Sequence, residues 1–259
     1  MASRTTASTP AAQFGKAGPQ FGVWLAIPDA FLAEILAAQG FDYLCVDTQH
    51  GLITFDRMVE MMRAIAGRGP APIVRVGRNE PAEIMRALDA GARGVVVPLI
   101  ETAQQAAEAA SACRYPPHGS RSFGPIRARY THGTTTDALE RVACIVQVET
   151  RLGYENLDAI AATPGIDGIY IGPSDLALSF GESPAHPSCH ITMRDRIDAV
   201  QRACAAHGIS AGIHCMDGER AADYAARGFD LITVLVDAVH AARTANAELA
   251  TARTAVAVA

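Results

Sequence analysis

The chain has 259 residues, of which 49% are hydrophobic and 19% are charged, and its 22 basic and 27 acidic residues give a net charge of −5. This composition excludes a largely disordered chain, and the lack of a basic cluster argues against a nucleic-acid partner. No apolar run is long enough to span a bilayer, so no membrane association is expected. Residues 1–20 are expected to form a flexible tail before one domain over residues 21–259. Scattered cysteines without a CxxC pair favour reduced thiols and a cytoplasmic protein.

From about residue 21, apolar segments alternate with amphipathic helical segments. Each apolar segment is nearly continuous, which is typical of strands covered on both faces. Eight strands are predicted, over Phe21–Ile27, Tyr43–Thr48, Pro72–Val76, Gly94–Ile100, Ala143–Glu149, Gly168–Gly172, Ser210–Cys215 and Leu231–Asp237. Helices are predicted over Asp29–Gln39, Phe55–Arg68, Pro81–Ala90, Thr102–Cys113, Gly153–Ala162, Met193–His207, Gly218–Arg227 and Ala238–Ala250.

Eight strand–helix units in about 230 residues predict an α/β fold, a closed parallel (β/α)8 or TIM barrel in a single domain. An open doubly wound sheet is the alternative, but it would usually carry a glycine-rich phosphate loop after its first strand, where Ile27-Pro28-Asp29-Ala30 stands. Two irregular segments, Arg114–Thr136 and Leu178–Ile191, are expected on the carboxyl-terminal face of the barrel. Loops of this length inside a compact domain are usually functional or disordered.

Polar residues follow six of the predicted strands at their carboxyl ends, which is where such barrels carry their chemistry. These residues are Asp47 with Gln49 and His50, Arg75, Gln147 with Glu149, Ser174 with Asp175, His214, and Asp237. A single polar strand end is usually an ordinary helix cap. Six of them on one rim predict a functional site.

Glu149 and Asp175 end consecutive strands and should be neighbours across the barrel mouth. Two carboxylates so placed repel each other unless a cation or a shared proton intervenes. Oxygen ligands without a Cys/His cluster suit Mg²⁺, Mn²⁺ or a similar hard divalent ion. The competing interpretation, a glycosidase-like acid/base pair, leaves Arg75 and His50 without roles and would need an aromatic sugar platform.

Arg75 lies within an apolar strand, so it must be paired or face the barrel lumen. It could form a buried ion pair with Glu149 or Asp47, or act as a fixed cation beside a developing oxyanion. His50 follows a strand end on a turn beside a glycine. A lone histidine is more often structural, but beside a metal and an arginine it is the natural general base.

At these residues the sequence resembles the HpcH/HpaI aldolase family, the metal-dependent class II pyruvate aldolases of the phosphoenolpyruvate/pyruvate-barrel superfamily. The resemblance extends from residue 21 to about residue 240. It is carried by Gly40–Tyr43, Asp47–His50, Val74-Arg75, Leu88–Ala92, Val97-Pro98, Arg114–Pro117, Gln147–Thr150, Glu155–Ile160 and Ile171–Leu176. It implies that Glu149 and Asp175 are the two protein ligands of Mg²⁺, Mn²⁺ or Co²⁺, with no organic cofactor.

The resemblance also assigns roles around that metal. It implies that Arg75 lies beside the carbonyl oxygen that becomes the enolate, and that His50 is the base, oriented by Asp89. Asp47 would belong to the water network. The residues implied to hold the 2-oxo acid are Gln147, Gly172, Pro173 and Ser174.

The sequence departs from the family pattern where the second substrate is expected. Gln49 and Val76 replace a frequent Glu and Pro, and His214 stands where an aliphatic residue is frequent. The basic loop that contains Arg121 and Arg127 is either a solvated or inter-subunit surface or a clamp for the acceptor. We expect His214, Arg121 and Arg127, from the same or a neighbouring subunit, to contact the aldehyde-derived half of the substrate.

The resemblance implies a lyase that reversibly cleaves a 4-hydroxy-2-oxo acid into an aldehyde and pyruvate, or a close analogue such as hydroxypyruvate. No lysine ends a predicted strand, so a Schiff-base route lacks its nucleophile. The alternatives are a citramalyl- or malyl-thioester lyase of the same superfamily and a non-catalytic barrel that serves as a binding module. The resemblance further implies a homo-oligomer, a hexamer or a trimer.

Overall fold

The computed structural model describes residues 18–185 and 191–258. The predicted flexible tail therefore lies outside the described residues except for its last three, and so do residues 186–190 of the irregular segment Leu178–Ile191. The strands form a closed parallel barrel in sequence order, in which the last strand pairs with the first. The predicted (β/α)8 barrel is confirmed.

The predicted strands agree with the observed strands to within two or three residues, because each is an uninterrupted apolar run bounded by polar or glycine residues. The strands are β1 Gln20–Leu25, β2 Tyr43–Asp47, β3 Ala71–Arg75, β4 Gly94–Val97, β5 Ala143–Val148, β6 Gly168–Ile171, β7 Ser210–His214 and β8 Leu231–Val236. The helices are α1 Ala30–Ala37, α2 Phe55–Ile65, α3 Pro81–Asp89, α4 Ala103–Ala112, α5 Ala128–His132, α6 Thr136–Leu139, α7 Arg151–Glu155, α8 Leu157–Ala161, α9 Pro173–Ser179, α10 Arg194–His207, α11 Gly218–Ala226 and α12 Asp237–Val258. Within the described ranges, no helix is both long and apolar enough to cross a membrane.

The segment Arg114–Thr136 lies on the opposite face of the barrel from the one predicted. It follows α4 and leads through α5 and α6 into β5. Helices of this fold run antiparallel to the strands, so α4 has already returned the chain to the amino-terminal end of the barrel. The prediction that this segment lies on the carboxyl-terminal face is therefore wrong.

The barrel encloses its own core, separate from the layer between sheet and helices. The buried apolar side chains of the lumen are Trp24, Tyr43, Cys45, Ile73, Val96, Ala143, Ile145, Tyr170, Leu231 and Val236. Glycines on neighbouring strands make room for the two tyrosines. A Cβ at Gly22 would lie 2.3 Å from the Tyr43 ring, and one at Gly212 would lie 2.4 Å from the Tyr170 ring. The lumen is thus filled by side chains and supports the carboxyl-terminal mouth from below.

We expect Gly212→Ala to reduce the free energy of unfolding by about 1–3 kcal/mol, because the buried Tyr170 ring has no room to withdraw from the new methyl group. Gly218→Ala is the matched control, since a Cβ at Gly218 meets no atom within 4 Å. Denaturant unfolding of both variants measures the difference. Equal stability of the two variants would contradict this account of lumen packing.

Candidate active site

A buried ion pair joins the ends of β2 and β3. Asp47 and Arg75 are register partners, and Arg75 Nε and Nη2 donate to Asp47 Oδ1 and Oδ2 at 2.8 and 2.5 Å. Burial alone would raise the pKa of Asp47, but the hydrogen bonds and charge of Arg75 outweigh it and lower that pKa. Likewise burial opposes the charge of Arg75, and Asp47 keeps its pKa raised. Of the two open partners for Arg75, the structure selects Asp47.

Trp24 forms the floor of the mouth, a role that the sequence analysis did not assign. Its ring lies 5.0 Å from the Arg75 guanidinium carbon, within the range of a cation–π contact. It stacks on Tyr170 with ring centroids 5.2 Å apart, and His214 meets it edge-on at the same centroid distance. One indole therefore touches side chains from β3, β6 and β7. Its position in an apolar first strand gave no signal of this role.

Glu149 is a buried carboxylate at the end of β5. Its Oε1 accepts the backbone N–H of Leu99 at 2.9 Å, and its Oε2 accepts from Gln147 Nε2 at 2.5 Å. Leu99 has a left-handed backbone with φ of 57°, an unfavourable conformation for leucine. Burial raises the pKa of Glu149 to about 7, and the negative charge of Asp175 adds to this effect.

Gly172 brings the end of β6 against Glu149. A Cβ at Gly172 would lie 2.9 Å from Gln147 Nε2 and 3.0 Å from Glu149 Oε2, so only glycine fits without displacing them. Pro173 then opens α9, and Ser174 and Asp175 lie in its first turn, with the Asp175 side chain exposed. The structure thus brings Gln147, Glu149 and the residues 172–175 turn together.

His50 lies on the turn after β2, with an exposed side chain. Asp47 Oδ1 accepts the backbone N–H groups of Gln49 and His50 at 3.0 and 3.3 Å. A Cβ at Gly51 would lie 2.2 Å from the carbonyl oxygen of Asp47, so the turn requires glycine there. The carboxylate that binds Arg75 therefore also fixes the backbone that carries His50.

Asp89, Arg121 and Arg127 lie at the other end of the barrel. Asp89 ends α3, and its carboxylate accepts from Arg121 Nη2 at 2.8 Å. Arg121 is 1% exposed, and Arg127 donates to the carbonyl oxygen of Ala90. Within one chain, Asp89 therefore does not contact His50. Within one chain, Arg121 and Arg127 likewise lie away from the mouth, so contact with the acceptor there would require a second copy of the chain.

Asp237 directly follows β8 and begins α12. Its buried carboxylate accepts the backbone N–H groups of Ala26 and Ile27 at 2.9 and 3.0 Å. It also caps its own helix by accepting from Ala238 at 2.7 Å. This polar strand end joins the last strand to the turn after the first one and is not free for chemistry.

The donor set at the mouth fits a divalent cation. Glu149 and Asp175 offer two carboxylates, and an ion there would take further oxygens from the substrate. The part of the chain that the structure describes holds no group of three or more His, Cys, Asp or Glu that could bind a metal ion. The raised pKa of Glu149 shows that its negative charge is poorly compensated at this position. Gln147 Oε1 is buried beside it and has no hydrogen-bond partner among the described residues. Carboxylate and amide oxygens are suitable ligands for a hard cation or for an ordered water bound to it.

Comparison with known proteins identifies aldolase relatives that match nearly the whole chain. A hydroxypyruvate/pyruvate aldolase of Rhizorhabdus wittichii is 38% identical over 237 residues, which cover 91% of this chain and 94% of the relative. A 2-dehydro-3,6-dideoxy-6-sulfogluconate aldolase of Pseudomonas putida is 39% identical and covers 83% of this chain and 86% of its own length. The crystal structure of an HpcH/HpaI aldolase/citrate lyase family protein from Burkholderia cenocepacia has a TM-score of 0.84 at 35% identity, over 96% of this chain and 100% of that one. The family model described as HpcH/HpaI aldolase/citrate lyase matches residues 20–257. With this barrel and this mouth, the chain belongs to the HpcH/HpaI aldolase/citrate lyase family and is a carbon–carbon lyase, as the resemblance predicted.

Proposed function

We propose that the chain is a class II aldolase that reversibly cleaves a 4-hydroxy-2-oxo acid into an aldehyde and pyruvate or hydroxypyruvate. The observation that carries the proposal is the buried Glu149 carboxylate, set beside Asp175 and within the field of Arg75. The family is generally dependent on a divalent metal. We assign Glu149 and Asp175 as the protein ligands, and Mg²⁺, Mn²⁺ and Co²⁺ as the candidate ions.

Bond cleavage places negative charge on the 2-oxo acid fragment. A divalent cation held by Glu149 and Asp175 would supply Lewis-acid stabilisation at the 2-oxo oxygen. Arg75 supplies a second positive group, fixed in advance by Asp47 and Trp24. The pair with Asp47 uses Nε and one Nη2 hydrogen, so the Nη1 hydrogens can donate to that oxygen. A fixed donor of this kind stabilises developing charge without reorganisation.

Recognition of the 2-oxo acid would rest on the Gln147 side chain and the turn of Gly172, Pro173 and Ser174. Gln147 is held by Glu149, so the amide that meets the substrate and the carboxylate that meets the metal are oriented together. Because Gly172 has no Cβ, the backbone of this turn lies close to both the Gln147 amide and the Glu149 carboxylate.

His50 would accept the proton of the 4-hydroxyl group as the C3–C4 bond breaks. The electron pair of that bond passes to the 2-oxo acid fragment, whose C3 carbon later takes up a proton. The exposed ring of His50 stands on a turn held by Asp47 and is open to the substrate side. Because Asp89 lies at the opposite end of its own barrel, it could orient His50 only from a second copy of the chain. We therefore retain the proposed trimer or hexamer.

The acceptor side of the mouth would be formed by His214, with Trp24 behind it. The Pseudomonas putida relative is named for a sulfonated sugar-acid substrate, and the Rhizorhabdus wittichii relative for hydroxypyruvate and pyruvate. An imidazole can hydrogen-bond to a hydroxylated or anionic acceptor, which an aliphatic side chain at this position cannot do. We therefore propose polar aldehydes as acceptors.

A Schiff-base mechanism has little support in the sequence. Lys16 is the single lysine of the chain and lies outside the described residues. No lysine is therefore present in the described barrel to attack the 2-oxo group.

Glu149→Gln and Asp175→Asn should each lower the rate of oxaloacetate decarboxylation on the order of 10²–10³-fold, because charge stabilisation at the 2-oxo oxygen is lost. EDTA should abolish wild-type activity, and added Mg²⁺, Mn²⁺ or Co²⁺ should restore it. Glu155→Gln, at an exposed carboxylate paired with Arg151, is the control and should keep full activity. Full activity of metal-stripped protein would refute the metal site.

His50→Ala should slow aldol cleavage on the order of 10²–10⁴-fold, because the proton loses its acceptor. Mn²⁺ affinity, measured by calorimetry, should stay unchanged, since His50 is not assigned as a ligand. Loss of Mn²⁺ binding in this variant would show that the assignment of His50 as the base is wrong.

His214→Leu, which restores the side-chain type frequent in the family, should lower kcat/KM for hydroxylated or anionic aldehydes by about 3–10-fold, the effect of one lost hydrogen bond. Oxaloacetate decarboxylation uses no acceptor and should change less than twofold. A variant that loses both activities equally would place His214 on the 2-oxo acid side instead.

A further inference from the structure

Three buried hydroxyl groups form a network in the middle of the lumen, below the residues assigned to chemistry. Thr233 Oγ1 lies 3.1 Å from the Tyr43 hydroxyl and 2.5 Å from the Tyr170 hydroxyl. All three side chains are at most 2% exposed. Burial raises the pKa of both tyrosines well above the ordinary value, so they act as neutral hydrogen-bonding groups. The network links β2, β6 and β8 across the barrel.

This network ends directly beneath the floor of the site. The Tyr170 ring, tethered through its hydroxyl, stacks on the Trp24 indole with an interplanar angle of 29°. On its other side the indole contacts Arg75, whose guanidinium carbon lies 5.0 Å from the indole centroid. Asp47 accepts hydrogen bonds from two nitrogens of Arg75, and the guanidinium lies over the face of the indole. The contacts therefore run without a gap from Thr233 through Tyr170 and Trp24 to Arg75.

We propose that Tyr170 and Thr233 are positioning residues for Arg75, acting through Trp24. This inference rests on the proposed function, in which Arg75 stabilises charge on the 2-oxo oxygen. The Thr233–Tyr170 hydrogen bond fixes the tilt of the Tyr170 ring, and that ring fixes the plane of the indole. A small displacement of the indole changes the direction of the Arg75 donors, and misplacement of about 1 Å can cost on the order of 10²-fold in rate.

A purely structural network would behave differently. Removal of one buried hydroxyl from a core network lowers stability wherever the network lies. If the network were purely structural, removal of the hydroxyl would leave kcat of the folded enzyme unchanged. Positioning through Trp24 predicts a loss in kcat with little change in KM, because ground-state binding would rest on the metal ligands and the residues 172–174 turn.

The test compares Tyr170→Phe and Thr233→Val with the wild type in oxaloacetate decarboxylation. We expect kcat to fall about 3–20-fold in each variant, with KM changed less than twofold. Thr233→Ser keeps the hydroxyl and should restore most of the rate. Tyr224→Phe is the matched control, because Tyr224 is a buried tyrosine that meets Phe229 edge-on in the outer core. It should lose stability without a loss in kcat per folded enzyme.

Trp24 is the single tryptophan of the chain, so its fluorescence reports on the floor directly. Time-resolved anisotropy should reveal a more mobile indole in Tyr170→Phe and Thr233→Val, and an unchanged indole in Tyr224→Phe. In an Arg75→Lys background, Tyr170→Phe should have less than a twofold further effect on kcat, since its effect passes through the guanidinium.

Two results would overturn the inference. One is Tyr170→Phe with wild-type kcat and wild-type Trp24 anisotropy. The other is an undiminished effect of Tyr170→Phe in the Arg75→Lys background, which would show that the path does not pass through Arg75. A wild-type protein that does not decarboxylate oxaloacetate would refute the proposed function, and the anisotropy comparison would still decide whether Tyr170 holds Trp24.

Discussion

The bidentate contact between Asp47 and Arg75 is the interaction on which the mouth of this barrel depends. Asp47 pairs with the arginine that β3 carries into the lumen, and the same carboxylate accepts two backbone N–H groups of the turn that carries His50. Because Asp47 already compensates Arg75, the arginine only partly compensates Glu149. Burial prevails there, and the pKa of Glu149 is raised to about 7 despite the nearby guanidinium. A carboxylate that is poorly compensated by the protein is a good ligand for a bound cation.

The sequence predicted those features that depend on the chain's own periodicity. The strands could be predicted because each is an apolar run covered on both faces, and the convergence of polar strand ends follows from a parallel closed sheet. The predicted position of the segment Arg114–Thr136 on the carboxyl-terminal face is wrong because α4 returns the chain to the amino-terminal end of the barrel before the segment begins. Within one chain, the contact expected between Asp89 and His50 does not form, because the two residues lie at opposite ends of the barrel and a motif match does not specify the end. The partner of Asp89 is Arg121, far along the sequence.

Other features of the site depend on packing between strands and have no local signal. Leu99 adopts a left-handed backbone to direct its N–H at Glu149, although leucine gives no indication of that conformation. The cost of such a conformation is about 1–2 kcal/mol, comparable with the hydrogen bond to a charged group that it permits. From the sequence, Trp24 is predicted only as a residue of the first strand. Its contacts with Arg75, Tyr170 and His214 arise only when β1 closes against β8.

The lumen is divided by chemistry along its axis. Among the residues that the structure describes, the buried charged groups of the lumen, Asp47, Arg75 and Glu149, lie in its upper layer. Below the Trp24 floor the polar groups are hydroxyls, which burial keeps neutral. Neutral, closely packed material beneath the site screens the charges above it far less than water would. The field of Arg75 at the mouth is therefore strong at short range, and its direction depends on how firmly the indole below it is held.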